Sequence, residues 1–221
     1  MKGLIIKDFY ILKKEYLLIL AFSVVTLIVL VLGNKVNTDY HFNFLIESVS
    51  AIALPLAALS CATVVSSYKI DNKCEHEQYL MITPTSRKTM VGSKIIMLTV
   101  ISVISSVLLF FMALSCCFIF KISFTEKELS RTILVLLLQS IFSFFLGAVN
   151  IYSHEKHGED KRLVYALPPS LLEYFAYANI VTTLSDNKNM NSLFYFMITL
   201  SLIYTVYCII RSFMLTEKKE V

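Results

Sequence analysis

Charge is scarce in this 221-residue chain: Asp, Glu, Lys and Arg make up 16% of it, against 57% hydrophobic residues and a mean hydropathy of +0.70. That balance excludes an average soluble domain and is the composition of a membrane protein. Glycine and proline are also few, five and four residues, which excludes a low-complexity or fibrous chain. The five glycines, Gly3, Gly33, Gly92, Gly147 and Gly158, cannot form G-x-x-x-x-G-K-S/T, so no phosphate-cradling loop is present and ATP hydrolysis by this chain is not expected. H-E-x-x-H, G-x-S-x-G and a clustered pair of intramembrane acids are missing as well, which argues against a membrane enzyme. Cysteine implies no disulfide framework, because Cys61, Cys116, Cys117 and Cys208 fall in apolar segments and Cys74 in a polar one. Cys74 and His76 lack a C-x-x-C or H-x-x-x-H partner, so no metal site is expected. His154 and His157 read as solvated loop residues.

What the chain does have is long apolar runs. Six stretches approach the roughly 20 residues needed to cross a ~30 Å hydrocarbon core: 16–33, 49–67, 95–120, 132–152, 163–185 and 192–210. The expectation is one all-α integral membrane domain over 1–221, with six transmembrane helices, an N-terminal amphipathic interfacial helix and a cytoplasmic coupling helix. Basic residues are retained on the cytoplasmic side. With the N-terminus inside, fifteen Lys and Arg fall in inner segments and five in outer ones, which places both termini in the cytoplasm. No small-residue cleavage site follows the first apolar run, so 1–15 reads as mature protein. There Ile5, Phe9, Leu12 and Tyr16 fall within a helical stripe of about 60°, away from Lys7, Lys14 and Glu15, as in a helix lying on the inner leaflet.

The longest polar stretch, DNKCEHEQYLMITPTSRKTMVGSK at 71–94, lies on the inner side. Asp71 is placed to cap a short helix whose early turns hold Glu75 and Glu77, acids that suit the helix dipole. Pro84 stops that helix and pushes Thr83 toward extended geometry. Ser86 offers a fresh cap, from which Arg87, Lys88 and Lys94 lead into the third span. On the residues alone, a solvated connector with basic residues for topology explains the stretch as well as a docking segment does.

The run YLMITPTSRKTMVGSK resembles the first cytoplasmic loop of ABC-2 type transporter permeases. Its elements are Asp71, Tyr79-Leu80, Pro84 with Ser86-Arg87-Lys88, and Val91 with Lys94. MKGLIIKDFYILKK at the start is similar to the start of that family. KHGEDKRL at 156–163 is similar to its second-loop pattern, with His157 where an aromatic is usual. The resemblance implies a permease subunit with no cofactor of its own, working beside a separate ABC ATPase that binds ATP and Mg. It implies that 71–81 couples to that ATPase while Ile5, Phe9, Leu12 and Tyr16 anchor. It also implies a second copy of the chain or a similar permease, a surrounding lipid bilayer and a bacterial cell membrane; no nucleic acid is expected. Small subunits of this kind resemble exporters of amphipathic or antimicrobial peptides, with drugs and lipids as further substrates. Two other classes stay open: a vitamin-importer membrane subunit, which should carry a polar outward-facing pocket, and a non-transporting immunity protein that sequesters a peptide.

Pro168 and Pro169 interrupt the fifth stretch, and SLLE at 170–173 has the spacing of a capping box that restarts a helix. A helix starting at Ser170 leaves about sixteen residues, roughly 24 Å, before Asp186. Glu173 then reads either as an interfacial capping residue, the blander option, or with Asn179 as part of a polar substrate path, because an ionisable group at mid-membrane is costly. Glu47 is expected at the outer mouth of the second span, and Gln139 and Asn150 as interhelical hydrogen-bonders.

Overall fold

The computed structural model describes residues 64–68, 86–120, 126–185 and 192–219, with isolated helical positions between 6 and 28. Among the described residues the chain is helical and contains no strand. Three long helices follow the short helical turn at 64–68: α1 Arg87–Phe120, α2 Glu126–Ser185 and α3 Ser192–Lys219. Each is long and apolar enough to cross a membrane. They contain the sequence-expected stretches 95–120, 132–152, 163–185 and 192–210. Most of the first two stretches, Glu47, and the interfacial residues Ile5, Phe9, Leu12 and Tyr16 lie outside the described residues.

α2 is a hairpin rather than one rod. Gly158 sits at φ 77°, ψ −179°, a conformation open essentially to glycine alone, and it reverses the chain within one residue. The two arms, 126–157 and 159–185, run back along each other, so that Phe142 of one stacks on Tyr177 of the other at 5.1 Å between ring centroids. The inner connection expected at 153–162 is therefore helical almost throughout. Its charged residues, which the sequence pattern assigns to solvated loop, ride on the two helix ends.

The second arm also differs from expectation, because helix runs unbroken through Pro168 and Pro169. Ser170 is not an N-cap; its hydroxyl donates to the Ala166 carbonyl at 2.7 Å. The carbonyls freed by Pro168 and Pro169 are those of Val164 and Tyr165, four positions back; membrane helices tolerate such prolines because neighbouring helices and local backbone adjustment re-satisfy freed groups. The arm spans 27 residues, about 40 Å, so the short helix starting at Ser170 is replaced by one long enough to cross with tilt.

The helices pack by small residues, the pattern expected where apolar side chains gain nothing by leaving lipid. Ser102 of α1 donates to Ser143 of α2 at 3.3 Å, and Ser106 meets Ser140 at 2.5 Å. One helical turn further on, a Cβ on Gly147 would stand 2.8 Å from Leu98 Cγ, so only glycine allows this approach. α3 buries a stripe of Ser201, Thr205, Cys208, Ser212 and Thr216 and turns Phe196, Leu200, Ile203, Val206 and Ile210 outward. Two of its hydroxyls bond within the helix: Thr205 donates to the Ser201 carbonyl and Ser212 to that of Cys208, both at 2.8 Å. Serines supply interhelical hydrogen bonds between α1 and α2. Gln139, expected in that role, is fully buried with neither amide atom partnered among the described residues, and Asn150 donates to Leu146 O in its own helix at 2.9 Å.

Candidate functional site

Two polar features stand out in this apolar bundle, one at its end and one inside it. The first begins at Ser86, where the expected cap forms: its Oγ and carbonyl both accept from the Thr89 amide, at 3.3 and 2.9 Å, and α1 starts at Arg87. Lys88, one position on, pairs with Glu217 near the end of α3. Lys94 is only 2% exposed; its ammonium donates to Ser67 and lies 5.5 Å from the Tyr68 ring centroid. Tyr68 stacks on His154 at 4.0 Å and donates to Glu155 Oε1 at 3.5 Å. The turn at 64–68, the start of α1, the fold-back of α2 and the end of α3 therefore gather at one end of the bundle.

Tyrosines with cations over their rings cluster near the same end. Tyr152 and Tyr207 lie 6.1 Å apart, and each carries a cation over its ring: Lys156 at 5.4 Å and Arg211 at 5.6 Å. Amphipathic rings with basic groups reaching past them form an interfacial belt. Just beyond it, His157 stacks on Tyr165 at 3.6 Å with planes 8° apart. Desolvation, then the charges of Lys156 and Lys161, hold the His157 imidazole below its ordinary pKa. His154 differs from the sequence reading: it is buried, because it continues the inward stripe of Gly147, Asn150 and Ile151 at helical spacing. Arg162 is 3% exposed, with Nε and Nη1 unpartnered among the described residues.

The second feature centres on Glu173. It lies about 22 Å along the helix from Gly158 and about 18 Å from Ser185, deep within the apolar length rather than at a break. The capping reading therefore gives way to a carboxylate inside the bundle. Ser201 of α3 donates to Glu173 Oε1 at 2.6 Å. Around it lies a recess walled by Leu138, Ile141 and Phe142 of the first arm, Ala176, Tyr177 and Ile180 of the second, and Met197 and Ile198 of α3. Asn179 does not join it; that exposed amide donates to Phe175 O of its own helix at 2.8 Å.

Of the sequence-derived coupling residues, Ser86, Arg87 and Lys88 form the first turn of α1, whereas Asp71, Glu75, Glu77, Tyr79, Leu80 and Pro84 lie outside the described residues. Ser67, Tyr68, Glu155, Tyr177 and Ser201 were not legible as site residues. Ser201 had one available signal, the small-polar stripe of α3 at helical spacing; the others depend on long-range packing. No curated protein and no solved structure matches the chain at a significant level. Residues 3–219 do match a family model, that of the ABC-2 family transporter proteins. Apolar helices of membrane-crossing length, small-residue packing between them, and a family match over nearly the whole sequence agree: the chain belongs to the ABC-2 transporter family and is a membrane protein of an ABC transport system.

Proposed function

We propose that the chain is the six-span permease subunit of an ATP-driven exporter in a bacterial cell membrane, moving an amphipathic or antimicrobial peptide outward with a separate ATPase. The family match over residues 3–219 carries this reading. Both termini lie in the cytoplasm, an orientation supported by the Lys and Arg grouped beyond the tyrosine belt. Alternating access needs two such bundles face to face, so the working unit is a dimer of this chain or a pair with a similar permease, served by two ATPases.

Energy enters through the loop at 71–88. Because the Ser86 cap joins that loop directly to α1, a push from the closing ATPase pair moves α1 as a rigid rod. Lys94 links α1 to the 64–68 turn, Tyr68 links that turn to α2, and Lys88 links α1 to α3, so the helix ends on that side shift together. Reversing Glu75 and Glu77 to Lys tests the coupling role. A docking segment should lose ATPase association or export while expression stays normal, because like-charge contacts across an interface cost several kcal/mol. Variants that bind the ATPase and export like the parent would reduce the segment to a tether.

A further inference from the structure

The Glu173 recess is an incomplete ion pair. Among the described residues only Ser201 donates to the carboxylate, through Oε1, no Lys or Arg reaches Glu173, and Oε2 has no hydrogen-bond partner. A carboxylate in the apolar length of a membrane bundle is expensive without a cation, a proton or water. A second, independent polar group lines the same recess: Tyr177 is 3% exposed, and its hydroxyl has no partner among the described residues. Buried hydroxyls are normally satisfied, so this one waits for a ligand atom. The remaining walls are aliphatic or aromatic, with the Phe142 and Tyr177 rings stacked side by side.

We propose that this recess binds the cationic end of an amphipathic substrate, a protonated amine carried on an apolar body, with Glu173 as its counter-ion. The ammonium donates to Glu173 Oε2 and to the Tyr177 oxygen. Ser201 holds the carboxylate toward the recess, and the apolar body lies along Ile141, Met197 and Ile198. The proposal rests on the exporter reading for the word substrate, but the binding it describes does not require an ATPase.

The test uses the full chain in phosphatidylcholine nanodiscs, whose zwitterionic surface adds no net charge. Two dansyl-tagged dodecyl probes are compared, one ending in a primary amine and one in a hydroxyl, with empty nanodiscs subtracted. The intact chain should bind the amine at least about tenfold more tightly, the scale of one charge-assisted hydrogen bond. Glu173→Gln should erase that preference and leave hydroxyl-probe binding unchanged, while Glu126→Gln, an exposed acid at the start of α2, should alter neither. Equal binding of both probes to the intact chain, or an amine preference that survives Glu173→Gln, overturns the site. A check on the unaltered sequence is carbodiimide coupling of the amine probe: an amide on Glu173 by mass spectrometry supports the site, and coupling only to other acids overturns it. Association with an ATPase without amine preference would sink this site and leave the exporter reading standing; the reverse result would do the opposite.

Discussion

Gly147→Ala sets two effects of similar size against each other. In a helix interior alanine is favoured over glycine by about 0.8–1 kcal/mol. Against that, the new methyl would stand 2.8 Å from Leu98 Cγ and nearer still to both Leu98 methyls. Leu98 is fully buried, so it has no open side to retreat to, and overpacking of this kind costs about 1–3 kcal/mol. The clash should win, leaving a net loss of up to about 2 kcal/mol. Leu98→Ala removes the obstructing atoms. In that background Gly147→Ala should change sign and stabilise by up to about 1 kcal/mol relative to Leu98→Ala alone, because only the propensity term remains. Equilibrium unfolding in mixed micelles, run as a double-mutant cycle, reads both values. The same sign in both backgrounds would refute the close α1–α2 approach on which the packing argument rests.

Three further outcomes follow from the same geometry. His157 should titrate below about 6.5 by NMR, and removing the charges of Lys156 and Lys161 should move its midpoint upward; because the folded imidazole resists protonation, its contribution to stability is present above that pH and declines as pH falls below it. An unshifted midpoint would contradict the arrangement at the α2 fold-back. Gly158→Ala forces a side chain into φ 77° and should cost about 1–3 kcal/mol, although no atom obstructs it, and a silent substitution would deny the one-residue reversal. Membrane-impermeant thiol reagents applied from outside should label cysteines engineered at 34–43 and 186–191 but not at 71–87, and labelling at position 76 would invert the topology.

How much of this was legible beforehand depended on whether a signal was local. Ser86 announced its cap because its hydroxyl acts only three residues away, within one helical turn. The four apolar stretches contained in α1, α2 and α3 were likewise visible, since length and hydropathy suffice to recognise them. Pro168, Pro169 and the SLLE spacing misled, because they carry the breaking signal of water-soluble helices, whereas helices packed in a membrane bundle tolerate proline. Gly158 was hidden by its neighbours: Lys156, Glu159, Asp160 and Lys161 suggest a solvated loop, whereas one glycine conformation does the turning. For Glu173 the sequence flagged the cost of a buried charge but not Ser201 or Tyr177. Ser201 stands 28 positions away, and Tyr177, four positions on, enters the recess through the packing of three helices.

The central claim is that this membrane chain works with a separate ATPase and does no hydrolysis itself. Tagged full-length protein should therefore be purified from its native membrane under mild detergent, its companions identified by mass spectrometry, and ATP turnover compared between complex and isolated chain. The account predicts a nucleotide-binding ABC subunit in the complex, hydrolysis that depends on it, and turnover at background for the chain alone. A chain that purifies with no ATPase, or that hydrolyses ATP once every companion has been removed, would contradict it.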